Sequence, residues 1–127
     1  MCMKQKISES EWEIMKIIWK LGESNLAQIL DNLDKKSWCN STIQTYLQRL
    51  IKKGYVQTKR KGHAYLYSAC VSEEECKLEE SKRFIDKVFE GSLSNMVLQF
   101  TDKEKISDKE KEILYKILER WDENGDL

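Results

Sequence analysis

The sequence has no proline, a single histidine, five glycines, and no acidic residue over 37 consecutive positions. Each shortage excludes something. The lone histidine, His63, and four cysteines (Cys2, Cys39, Cys70 and Cys76) show no C-x-x-C or other paired spacing, so no zinc site is supported. There is no glycine-rich phosphate loop, no nucleophile motif and no metal-ligand set, which argues against an enzyme and against a cofactor. No apolar run is long enough to cross a bilayer; the longest candidate, Ile14 to Leu21, is broken by lysine. With no signal peptide, the expectation is a cytoplasmic protein whose thiols stay reduced, with Cys70 and Cys76 in or near the core. There is also no internal repeat, no low-complexity tract and no flexible linker.

The acid-free stretch is the strongest compositional signal. The chain of 127 residues has zero formal net charge, but Lys35 to Val71 contains eight Lys/Arg (35, 36, 49, 52, 53, 59, 60 and 61) and no Asp or Glu. The other ninety positions hold 14 basic and 22 acidic residues, a balance of −8. Excluding carboxylates over such a span is what a phosphate-facing surface requires, since each would repel a polyanion. The alternative is a solvated basic patch with no ligand. The length suits one compact domain or two small ones. The charge switch near Val71 and Ser72 marks the expected border, giving 1–71 and 72–127.

Local patterns fill in the first part. Ser8-Glu9-Ser10-Glu11 is a capping box, followed by Trp12, Met15, Ile18 and Trp19 at helical spacing. This predicts a helix from Glu9 to Leu21 that stops at Gly22, with the tryptophans in the core. A second helix is expected over Leu26 to Asp34, burying Leu26, Ile29, Leu30 and Leu33. The third runs from Asn40 to Gly54. Ile43, Leu47, Leu50 and Ile51 form its apolar stripe, Asn40 or Ser41 caps it, and Gly54 ends it. Its other face offers Ser41, Thr42, Gln44, Thr45 and Gln48, which are amides and hydroxyls without a carboxylate among them.

The period then changes. Val56 to Arg60 and His63 to Tyr67 are β-prone runs separated by Lys61-Gly62, which reads as a hairpin with a basic tip. Three helices followed by such a hairpin is the order of a winged helix-turn-helix. In that arrangement the third helix reads base edges in a major groove and the hairpin tip lies on the backbone beside it. Thr42, Gln44, Thr45 and Gln48 are then the candidate base readers. Ser41, Arg49, Lys52, Lys59, Arg60, Lys61 and His63 are the candidate phosphate contacts on double-stranded DNA. Cys39, just before the reading helix, is the one cysteine whose oxidation would disturb binding.

The second part is helical again. Ser72 to Glu75 and Ser107 to Glu110 are further capping boxes. Phe84, Ile85, Val88 and Phe89 lie on the first helix, Leu93, Met96, Val97 and Phe100 on a shorter one, and Ile113, Leu114, Ile117, Leu118 and Trp121 on the last. Three short amphipathic helices cannot close a large core alone, so their apolar faces are expected to dimerise across a two-fold axis. The alternative is a tail folded back on the first part. The fold class expected is mainly α: a winged helix-turn-helix followed by a small three-helix dimerisation domain.

Several blocks together resemble a known family. These are I-S-E-S-E-W-E-I-M-K-I-I-W from Ile7, W-C-N-S-T-I-Q-T-Y-L-Q-R-L-I-K-K-G from Trp38, A-Y-L-Y from Ala64, V-S-E-E-E from Val71 and F-I-D-K-V-F-E-G-S-L-S-N-M-V-L-Q-F from Phe84. They are similar to the penicillinase repressor family of the BlaI/MecI/CopY type, in the family's order, over roughly Ile7 to Leu118. The resemblance implies a homodimeric transcriptional repressor whose winged helix binds a dyad operator with TACA/TGTA half-sites. In its β-lactam branch a membrane sensor leads to cleavage of the repressor at an Asn-Phe bond, which weakens the dimer and releases β-lactamase or resistance genes. The copper branch carries C-terminal C-x-C motifs, whereas this chain has no cysteine after Cys76.

Two departures from the family pattern stand out. Where the family commonly has Trp-Ser-Pro-Lys-Thr-Ile-Arg-Thr, this chain runs from Trp38 through Cys39, Asn40, Ser41, Thr42, Ile43 and Gln44 to Thr45. It thereby loses a lysine and an arginine and gains Gln44, an adenine-type partner. The scissile pair falls on Gln99 and Phe100, with glutamine in place of asparagine. Other readings stay open: a same-family repressor answering a metal or redox signal, a winged helix used for protein contact, or a small-molecule regulator.

Overall fold

The computed structural model describes residues 5–34, 38–103 and 106–124. Among them the order is α1 (Glu9–Leu21), α2 (Leu26–Asp31), α3 (Asn40–Lys53), β1 (Val56–Lys61), β2 (Ala64–Ala69), α4 (Glu73–Phe89), α5 (Leu93–Asp102) and α6 (Asp108–Asn124). The chain divides into two compact units, Met1–Glu80 and Ser81–Leu127, so the division falls inside α4. Cys2, Lys35, Lys36 and Ser37 lie outside the described residues.

Helix α1 starts where a reciprocal cap allows it. The Glu11 amide donates to Ser8 Oγ at 3.2 Å and the Ser8 amide donates to Glu11 Oε1 at 2.9 Å. Both donors would otherwise be unpaired at a helix start. Ile14, Met15, Ile17 and Ile18 then form its buried stripe. Trp12 and Trp19 are only half-buried, their ring centres 5.6 Å apart, and Trp19 Nε1 donates to Val71 O at 3.0 Å. They form the rim of the core, not its centre, because an indole N–H needs a partner that an apolar interior lacks.

Helix α2 is shorter than its apolar pattern suggests. A cap absent from the sequence reading, Asn25 with Gln28, opens it through two 2.8 Å bonds. It ends at Asp31 because the Asn32 amide closes on Ile29 O at 3.2 Å while the Asn32 side chain takes Gln28 O at 2.9 Å. An asparagine that bonds the backbone in this way competes with continued helix. Leu33 still packs half-buried on the core from beyond the helix end.

Helix α3 crosses the same core. Ile43, Leu47 and Leu50 are fully buried, and Ile51 packs beside them. Each buried leucine or isoleucine contributes on the order of 1.5–3 kcal/mol of transfer energy. The helix closes with Tyr55 N–H on Leu50 O at 2.9 Å and Gly54 N–H on Ile51 O at 3.0 Å, a Schellman pair. Gly54 sits at φ 91°, a left-handed conformation that suits glycine. The N-cap is Cys39, not Asn40 or Ser41, and its side chain makes no bond to a helix amide. Instead Cys39 Sγ lies 3.1 Å from Ser41 Oγ and 3.3 Å from Thr42 Oγ1.

The hairpin pairs β1 and β2 antiparallel from Val56 with Ala69 to Lys61 with Ala64. The two-residue turn is therefore Gly62-His63, one position later than the expected Lys61-Gly62. Gly62 at φ 64° takes the first central position, the place glycine occupies in a II′ turn. An isolated antiparallel bridge beside the hairpin ties Ser24 to Tyr67 through bonds of 3.0 and 2.7 Å. Cys76, on α4, belongs to this core, whereas Cys70 is exposed, contrary to expectation, because it follows the last paired residue of β2.

In the second unit serines start two of the helices. The Asn95 amide donates to Ser92 Oγ and the Glu110 amide to Ser107 Oγ. The same device opens α4 through Ser72 and Glu75. No described side chain beyond Cys76 is fully buried. Among the described residues no helix is long and apolar enough to cross a membrane.

Candidate nucleic-acid interface

The interface follows from the two periodicities. With Ile43, Leu47 and Leu50 facing inward, the 3.6-residue repeat turns Ser41, Gln44, Thr45, Gln48, Arg49 and Lys52 outward, and all six are exposed. Thr42 is half-buried at the edge of this face, held by its contact with Cys39. Thr45 Oγ1 donates to Ser41 O at 2.9 Å, so it offers a partner its lone pairs and its methyl group. That chemistry fits a thymine methyl better than it fits a hydrogen-bond acceptor.

In the hairpin the two-residue repeat and the register decide which residues join them. Thr58 pairs with Tyr67 and Arg60 with Tyr65, so these four share one face of the ribbon. Thr58, Tyr65 and Tyr67 border Ser41, Gln44, Thr45 and Gln48 in an open groove of about 680 Å³, and no carboxylate lines it. Lys59 and Lys61 project from the opposite face, and His63 lies exposed in the turn. Burial, with the Tyr65 phenol second, pushes the Tyr67 hydroxyl above its ordinary range, so it stays protonated in neutral solution.

The basic residues differ in what holds them. Lys53 Nζ is 2.7 Å from Glu11 Oε1, a carboxylate fully buried in the core, and donates to Lys6 O at 2.8 Å. It is a strut between α1 and α3, turned away from the outer face. Lys59 Nζ lies 3.6 Å from Glu23. Arg49 rests 5.8 Å from the ring centre of Tyr46, which stacks edge-on against Trp38 at 5.2 Å. Arg60 rests 5.7 Å from the ring centre of Tyr65. Cys39 is fully exposed at the start of α3. The Ser41 hydroxyl foremost, then that of Thr42, lowers its pKa from the ordinary 9.0 to about 6, so it is largely thiolate at neutral pH. Among the described residues no group of three or more His, Cys, Asp and Glu is placed to hold a metal ion.

A family model described as penicillinase repressor matches residues 7–120. The chain is 37% identical over 116 residues to the methicillin resistance regulatory protein MecI of Staphylococcus aureus, covering 91% of this chain and 94% of that protein. It is 37% identical over 115 residues to the penicillinase repressor of Bacillus licheniformis, covering 90% of each. The chain belongs to the penicillinase repressor family. Among solved structures, Bacillus licheniformis BlaI in monomeric form in complex with the blaP half-operator matches with a TM-score of 0.51. The match is 37% identical and covers 59% of this chain and 93% of that one. The DNA binding domain of the repressor BlaI matches with a TM-score of 0.50 at 38% identity, covering 57% and 93%.

For a penicillinase repressor, the sequence-expected readers therefore come together on one face of α3, while the hairpin cations divide between two faces. Tyr65, Tyr67 and Thr58 were absent from the expected site. The signal that finds them is the strand alternation, which sets Thr58, Tyr65 and Tyr67 on one face of the hairpin, and the packing turns that face toward α3. In the second unit, Phe84, Val88, Leu93, Phe100, Ile113, Ile117 and Leu118 are exposed. Ile85, Phe89, Met96, Val97 and Leu114 are half-buried. Gln99 and Phe100 are exposed on α5, inside the helix.

Proposed function

We propose that this penicillinase repressor is a homodimeric, sequence-specific DNA-binding repressor of β-lactamase or related antibiotic-resistance genes, acting in the cytoplasm on a TACA/TGTA-type dyad operator. The observation that carries the reading is the carboxylate-free groove between α3 and the hairpin, bordered by Gln44 and Gln48 and flanked by Arg49 and Lys52. Amides at that position suit adenine edges, and the flanking cations suit phosphates. Repression then needs only occupancy of the promoter, with no catalytic step. The BlaI half-operator complex, matched in sequence and fold, supports the same direction.

The exposed apolar faces of α4, α5 and α6 support self-association. Phe84, Val88, Leu93, Phe100, Ile113 and Leu118 are each 45–57% exposed, an arrangement that favours a partner surface of the same kind. Induction by a membrane β-lactam sensor and proteolysis at Gln99-Phe100 completes the proposal. Because that bond lies within α5, where the Lys103 amide closes on Gln99 O at 3.3 Å, a protease requires local opening of the helix. Cleavage there separates part of α5 and all of α6 from the rest and weakens the dimer.

The test is anisotropy binding to a TACA/TGTA inverted repeat and to a scrambled duplex across a salt series. A preference of about 10³-fold for the repeat, with a steep salt slope, is expected. Equal binding to both duplexes would remove the operator assignment.

A further inference from the structure

The acid-free segment contains two arginines, and both lie over tyrosine rings, Arg49 on Tyr46 and Arg60 on Tyr65. The second pair sits at the groove mouth. Tyr65 is 53% exposed, so its ring is not needed to fill the core. Arg60 Nε donates to Gly62 O at 3.2 Å, which fixes the guanidinium at a second point. A guanidinium has five N–H donors, so this bond leaves the four on its two terminal nitrogens unspent. Held between a ring face and a turn carbonyl, they form a fork of the shape that matches a phosphate. The neighbouring cations are different: Lys59 is on the other face of the ribbon and lies against Glu23, and Lys61 is on that face too.

We propose that Tyr65 is a positioning residue for DNA binding, holding Arg60 ready to grip one backbone phosphate beside the groove that α3 enters. This rests on the DNA-binding reading above. An arginine side chain has rotamer entropy to lose on engaging a phosphate. The stack and the Gly62 bond restrict it beforehand, so less is lost on binding. The hairpin is thereby an asymmetric device in which one of three adjacent cations makes the ordered contact.

The experiment measures binding of the full chain to a random-sequence duplex across a salt series. The phosphate component does not depend on base sequence, so the result does not depend on the operator assignment. The proteins are the wild type, Tyr65→Leu, Tyr65→Phe, Arg60→Ala and the Tyr65→Leu/Arg60→Ala pair. Tyr65→Leu changes no charge, yet it should weaken binding about two- to fivefold, because a guanidinium released from the ring must be ordered again on binding. It should also flatten the salt slope by up to ~0.9, the amount associated with one phosphate. Tyr65→Phe retains the ring and should restore both quantities. In the Arg60→Ala background, Tyr65→Leu should have no further effect.

A salt slope unchanged by Tyr65→Leu, or effects of Tyr65→Leu and Arg60→Ala that simply add, would overturn the positioning role. So would a Tyr65→Phe loss as large as that of Tyr65→Leu, which would mean the hydroxyl acts instead of the ring. A wild type that shows no salt-dependent binding to any duplex would overturn the DNA-binding reading along with it.

Discussion

Replacing Lys53 by methionine separates what a cation does for the fold from what it does for DNA. Glu11 is 1% exposed, and its Oε1 accepts from both Ser8 N and Lys53 Nζ. Removing the lysine charge leaves a carboxylate in the core with one amide donor. Breaking a buried pair from one side costs about 3–5 kcal/mol. Because the Lys53 side chain is 18% exposed, the lower end, ~3 kcal/mol, is expected. For a folding unit of this size that corresponds to a melting-point fall of roughly 12 °C or more.

The double variant Glu11→Leu/Lys53→Met removes both charges and loses mainly the α1 cap, worth ~1 kcal/mol, so it should recover most of the stability. The assay is urea and thermal unfolding followed by circular dichroism, together with the salt dependence of DNA binding for the folded protein. Since Nζ points at Glu11 and Lys6 O, Lys53→Met should leave the salt slope unchanged, whereas Lys52→Ala should reduce it by ~0.9. A stability loss under ~1 kcal/mol, or a salt slope that falls in Lys53→Met, would refute the assignment of Lys53 to the fold.

Gln44→Ala should cost ~1–3 kcal/mol on the operator and nothing on scrambled DNA, read by competition binding; equal losses on both would show that Gln44 does not read bases. Leu47→Ala, at a fully buried position, should lower stability by ~2–5 kcal/mol in urea unfolding and leave little folded protein to bind. Cys39 should alkylate with a pH midpoint near 6, and Ser41→Ala should raise that midpoint; a wild-type midpoint at the ordinary 9.0 would contradict the cap geometry. A folded value near 6 against an unfolded 9.0 gives a stability contribution fully present above pH 9, lost as pH falls toward 6, and absent in Cys39→Ser.

Much of this was legible in local sequence. Ser8 with Glu11 placed the start of α1, and Gly54 after the Ile43 to Ile51 stripe placed the end of α3, because caps and periodicity depend on neighbours a few residues away. The outward face of α3 followed from the same stripe. What escaped the sequence depends on partners far along the chain. Lys53 reads as one more surface cation until α1 is packed against α3 and Glu11, 42 positions away, takes its charge. Tyr65 reads as an ordinary strand residue until the register sets it opposite Arg60. The early end of α2 turned on the Asn32 side chain, whose bond to Gln28 O is one of several options open to an asparagine.

The most direct test of the central claim is amide chemical-shift mapping of the isotope-labelled chain during titration with an operator duplex. The account predicts that the largest changes fall on Ser41 to Gln48 and on the hairpin from Thr58 to Tyr65, with Ile14 and Leu50 little affected. Changes concentrated on α1, or on residues 81–127 with α3 silent, would contradict it.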